Sequence, residues 1–150
     1  MWLDAILAYL HFTAIFLLFA FLTVQVILIR QQLDMRTARL LGRMDIWYFS
    51  SAIAALITGF LRATVGAKGA DFYFNAWPIY AKIALFVAVG VISVKPTLTL
   101  IQWRRAFEKD AAWRVPADEQ RKVRRLVMIE LHLAALIPVF AVMMSRGLGY

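Results

Sequence analysis

The chain contains two histidines and no cysteine. His11 lies inside 27 residues, Leu3 to Ile29, whose only strongly polar members are Asp4, His11 and Gln25. An ionisable side chain in such a run is costly in hydrocarbon unless it is paired or ligated, which makes it a functional candidate by default. Four chemistries suit it: axial ligand of a haem, metal ligand, proton carrier, or a polar group satisfied by a neighbouring helix. Lys82 is the second costly residue. It stands five residues into the apolar run that begins at Trp77, and snorkelling of its stem toward the headgroups is its simplest reading. Arg62 and Lys95 read as interfacial anchors. Glu130 reads as the partner of a basic residue or as an acid that keeps its proton.

Several chemistries are excluded or poorly served. Without cysteine there is no disulfide, thiolate metal site or iron–sulfur cluster. Two histidines allow at most one bis-histidine haem, and the unequal depths of His11 and His132 argue against even that, so a cytochrome with several haems is excluded. A di-iron carboxylate site needs Glu-x-x-His on one helix face, whereas Glu130 and His132 are two apart and diverge. Met143 and Met144 form no methionine array of the kind a copper pathway favours. There is no glycine-rich phosphate loop, Ser/His/Asp arrangement or zinc-protease motif.

The elements that must position these residues are membrane helices. Of the 150 residues 63% are hydrophobic, and four segments reach the ~20 residues needed to cross a bilayer. They are 3–29, 46–65, 77–103 and 126–144. The expected fold is therefore all-α, one transmembrane domain of four helices with the lipid bilayer as its main partner. The net charge of +8 comes from loops rather than a recognition surface, so nucleic acid is not a partner. Twelve basic residues fall in the loops Arg30–Asp45 and Arg104–Arg125, against Arg62, Lys68 and Arg146 on the other side. The positive-inside rule then places both loops in the cytoplasm and both termini outside. The N-terminus lacks a basic segment before its apolar run, so the first span is expected to stay in the mature protein. Asn75 is a candidate cap for the third span, Pro116 with Asp118 and Glu119 marks a helix start, and Pro96 and Pro138 are expected to kink their helices.

Helical spacing predicts the inward faces. Asp4, Ala8, His11, Leu18, Leu22 and Gln25 share a face of the first helix, and Ser51, Ala54, Ala55, Thr58 and Arg62 one of the second. Asn75, Lys82, Phe86, Val89 and Ser93 align in the third, and Glu130, Ala134, Pro138, Ala141 and Ser145 in the fourth, with His132 pointing elsewhere. By depth, His11, Arg62 and Lys82 can meet in the outer half of the bundle. The small residues Ser51, Ala55 and Gly59 suggest a homo-oligomer or a place in a larger membrane complex.

The run Ala8-Tyr9-Leu10-His11, the segment Thr58-Gly59-Phe60-Leu61-Arg62 and the segment Trp77-Pro78-Ile79-Tyr80-Ala81-Lys82 resemble a bacterial family of predicted membrane proteins, domain of unknown function 2214. That family is grouped with the CopD-like superfamily, which includes copper-resistance CopD proteins and HemJ-type protoporphyrinogen oxidases. The resemblance to HemJ lies mainly in the first and third spans. It implies a b-type haem, with His11 at the position of the key histidine and Lys82 at that of the key lysine. The expectation is a haem-associated redox protein of the bacterial inner membrane, with His11 as axial ligand and Lys82 and Arg62 binding propionates or an anionic substrate. Two other expectations stand beside it: a non-enzymatic accessory or assembly subunit of a larger membrane complex, and copper transport like CopD.

Overall fold

A computed structural model describes residues 2–65 and 69–149. Five helices follow in order: α1 (Trp2–Ile29), α2 (Met35–Thr64), the short α3 (Gly69–Phe74), α4 (Trp77–Lys109) and α5 (Ala117–Ser145). There is no strand among the described residues. α1, α2, α4 and α5 are each long and apolar enough to cross a membrane.

α1 and α2 form one antiparallel hairpin and α4 and α5 another. α1 also packs on α5 and α2 on α4, which closes the four into a square bundle. The buried positions explain why. They run Leu7, Ala14, Leu18, Leu22, Gln25 and Ile29 in α1, and Val89, Ser93, Pro96, Leu100, Trp103 and Phe107 in α4. In α5 they run Val123, Val127, Glu130 and Ala134. Alternating steps of three and four keep a narrow stripe on one side, the pattern of helices crossing at about 20°. The opposite faces carry large exposed apolar residues such as Tyr9, Phe16 and Val91. A surface of this kind is the contact face of a membrane protein with lipid.

The helices outrun the predicted loops. At ~1.5 Å per residue α2 and α4 are about 45 and 50 Å long, beyond the ~30 Å of hydrocarbon. α2 starts at Met35, so Arg36, Arg39 and Arg43 are helical, and α4 continues to Lys109. Only 30–34 and 110–116 remain as connections. The start of α2 is set by Asp34, whose carboxylate accepts the Thr37 N–H at 2.7 Å. That N–H holds the exposed Asp34 carboxyl below its usual range.

At the opposite end, Asn75 does not cap α4. The cap is Ala76, with no side-chain bond, and the Trp77 N–H donates instead to the Gly149 carbonyl at 3.1 Å. Beyond Ser145 and the cap residue Arg146, the chain turns at Gly147 in the left-handed region, φ 73°, where the Leu148 N–H bonds back to Met143 O at 3.0 Å. This turn brings Gly149 onto the start of α4, so close that a side chain there would strike Pro78 at 2.7 Å. Pro96 and Pro138 both lie inside continuous helices, Pro96 buried and Pro138 exposed. Of the predicted inward residues, Ala54, Asn75, Pro138 and Ser145 are exposed; the true seams step 51–55–58 in α2 and 130–134 in α5. Lys68, one of the three basic residues of that side, lies outside the described residues.

Candidate functional site

The sequence candidates His11, Arg62 and Lys82 come from α1, α2 and α4, and the fold brings them together in the half of the bundle that holds the termini. His11 is half-buried and its Nδ1 lies 3.0 Å from Thr58 Oγ1. The Thr58 hydroxyl has one proton, which it donates to Ala54 O at 2.6 Å. With that proton so placed, the Thr58 oxygen can accept from His11 Nδ1–H, the tautomer that leaves the Nε2 lone pair available. A hydrogen bond of this kind, from the ring nitrogen that faces away from a metal, fixes ring orientation and tautomer in histidine ligands.

Gly59 completes the seat. A Cβ built on it would lie 3.0 Å from His11 Cε1, so a larger residue requires the imidazole to give way by a few tenths of an ångström. Gly59→Ala is expected to push the ring off Thr58, although alanine favours the helix by about 1 kcal/mol. Histidine ¹⁵N spectra check this: the wild type should show the Nδ1–H tautomer, and the variant should lose it. Unchanged spectra would show that the seat tolerates the methyl group.

The charges around His11 have one sign. Arg62 and Lys82 are both near enough for their fields to act on the imidazole and on each other. Arg62 is half-buried, its guanidinium carbon sits 5.4 Å over the Phe12 ring, and its Nε is buried without a hydrogen bond. The ion pairs among the described residues, Arg104–Glu108 and Lys122–Asp118, lie on exposed faces at the other end. The arrangement is thus an imidazole hydrogen-bonded through Nδ1 beside two cations that form no ion pair among the described residues. Chemically it suits an anionic ligand that also offers an electrophilic or metal centre.

The remaining sequence candidates lie apart. His132 is exposed on the outer face of α5, its Nδ1 bonded to Met128 O at 2.6 Å, beside a groove lined by Arg121, Arg124 and Arg125. Glu130 meets no arginine; its partner is the Tyr48 hydroxyl at 3.4 Å. It belongs to a buried polar cluster with Asp45 that sequence reasoning placed partly in a loop. The signal for it was the step Asp45, Tyr48, Ser51, Ala55, one helical seam running on past the predicted loop boundary. That same seam buries Ser51 and Ala55 within one chain, and Gly59 packs on His11. These small residues therefore serve the bundle itself and carry no argument for an oligomer.

Comparison with curated proteins and with solved structures finds no match. A family model described as a predicted membrane protein, DUF2214, matches residues 3–149. With nearly the whole chain covered, the protein belongs to the DUF2214 family of predicted membrane proteins.

Proposed function

We propose that this is a haem-associated redox protein of the bacterial inner membrane, with His11 as axial ligand through Nε2 and Arg62 and Lys82 as partners for the carboxylates of the porphyrin. The observation that carries the reading is His11, with Nδ1 against Thr58, beside two cations that form no ion pair among the described residues. The donor set fits this group. A porphyrin brings four nitrogens of its own, so one protein nitrogen suffices, and its two propionates want two cations. A bare metal ion needs more: no group of three or more His, Asp or Glu side chains able to hold one converges among the described residues. The resemblance to HemJ at His11 and Lys82 supports the same choice over copper transport.

A b-type haem held there supplies one-electron redox chemistry. The chain's own part is defined by its residues. Thr58 fixes the imidazole tautomer, Gly59 admits the ring, and Arg62 and Lys82 orient an anionic ligand in the half that holds the termini. An absorbance spectrum of protein purified in mild detergent tests the reading. A Soret band with reducible α and β bands supports it. A colourless protein that copurifies stoichiometrically with larger subunits would replace it with the accessory-subunit reading, and bound copper by elemental analysis with the transport one.

The same proposal includes orientation. The basic residues of 30–43 and 104–125 gather at the hairpin end, which supports a cytoplasmic hairpin end with both termini outside. A reporter active only in the cytoplasm is expected to work when inserted at Glu108 and to be silent when fused after Tyr150. The reverse pattern overturns the orientation and moves His11 to the cytoplasmic half.

A further inference from the structure

We propose that the hairpin half of the bundle holds a second site, formed by Asp45 and Glu130 with Gln25, Tyr48, Ser93 and Thr97, which binds an exchangeable hard cation, a proton or a sodium ion, inside the membrane domain. The site is separate from the histidine: on α1, Gln25 is fourteen residues from His11, or about 21 Å along the helix.

Its composition is what demands a cation. All four long helices contribute: Gln25 from α1, Asp45 and Tyr48 from α2, Ser93 and Thr97 from α4, Glu130 from α5. Asp45 is 8% exposed and Glu130 1%, and their charges act on each other. None of the groups facing them is a lysine, arginine or histidine, and neither carboxylate forms an ion pair among the described residues. Two carboxylates buried together in low dielectric do not both stay ionised without a positive charge between them.

The hydrogen bonds within the cluster are too few and too long to replace that charge. Gln25 Nε2 donates to Asp45 Oδ1 at 3.5 Å, and the Tyr48 hydroxyl to Glu130 Oε2 at 3.4 Å. Glu130 Oε1 is buried with no partner at all. Thr97 Oγ1, which faces Asp45, is also buried without a hydrogen bond of good geometry. Ser93 donates its proton to Gly90 O at 2.8 Å, so its oxygen presents a lone pair to Tyr48. Glu130 Oε1, an orphaned acceptor in a native interior, calls for a partner. The atoms on offer are oxygens of carboxylate, hydroxyl and amide groups, with no imidazole or sulfur, which selects a hard cation over a transition metal. No group of three or more His, Asp or Glu side chains able to hold a metal ion converges among the described residues, which leaves a divalent ion with its fuller ligand set poorly served.

The test uses the full-length protein in detergent micelles, with Glu130→Gln, Asp45→Asn and the double variant. These neutral isosteres remove the charge that needs compensation, so their helicity by circular dichroism should match the wild type. A protonated-carboxyl infrared band at neutral pH, unaffected by NaCl and lost in Glu130→Gln or Asp45→Asn, identifies the proton as the occupant. A band that falls as NaCl but not KCl is added, with release of protons and saturable ²²Na⁺ uptake that the double variant lacks, identifies sodium displacing a proton. Saturable ²²Na⁺ uptake lost in the double variant, with no such band, identifies sodium alone. The proposal is overturned if the wild type shows neither a protonated carboxyl nor saturable sodium uptake, or if either signal persists unchanged in the double variant.

Discussion

His11→Ala is expected to remove the Soret band of the purified protein while the chain still inserts and folds. Deleting one polar group from a membrane span lowers the cost of insertion, so the loss cannot be assigned to failed assembly. The magnitude follows from the role. Loss of an outer-shell partner such as Thr58 typically weakens a metal ligand by about 10- to 100-fold, and loss of the ligand itself should exceed that. His132→Ala should leave the spectrum in place, because His132 is exposed on the far side of α5 with Nδ1 bonded to Met128 O. Lys82→Met keeps the stem and removes the charge, so it should weaken retention of the group while preserving the position of its bands. Protein that carries no haem even when expressed with added precursor, or that loses it on His132→Ala alone, would show that His11 is not the ligand and would favour the accessory-subunit reading.

The four long helices were legible because each contains a long, mostly apolar run bounded by charge, the strongest pattern a sequence offers. The meeting of His11, Arg62 and Lys82 was legible too, since helical spacing and depth are nearly fixed once spans are assigned. What the sequence hid lay where hydropathy stops reporting. Asp45 and the arginines before it resemble a loop by composition, yet helix α2 continues through them, because a helix leaving the bilayer needs no apolar outer face. The His11–Thr58–Gly59 seat was hidden for another reason. Its content is a hydrogen-bond direction and a close approach, and neither is a property of residue type.

The largest stability effect is expected at the hairpin end, where the core that includes Tyr48 continues past the Asp45–Glu130 cluster. Trp103 and Phe107 are each 2% exposed and pack with Leu33, Ala38, Leu41 and Val123, with Trp113 edge-on to Phe107 at 5.0 Å. The Trp103 Nε1–H donates to Glu119 Oε1 at 3.1 Å, and the Gln120 amide donates to Ile29 O and to Gln31 O at 3.0 Å, tying α5 to the end of α1. Within lipid, helices gain little by hiding apolar surface from one another. Where the helices project into water, that surface is driven together at roughly 25 cal/mol per Å². The projecting ends therefore act as a soluble-type core that fastens the two hairpins. Trp103→Ala should cost about 3–5 kcal/mol, the range for deleting a buried aromatic, and it also leaves Glu119 without its donor. Phe16→Ala, on the lipid face of α1 and 76% exposed, should change stability by less than about 0.5 kcal/mol. Unfolding of both variants in mixed micelles measures the contrast, and equal losses would show that lipid-face packing holds this bundle as strongly as the projecting core.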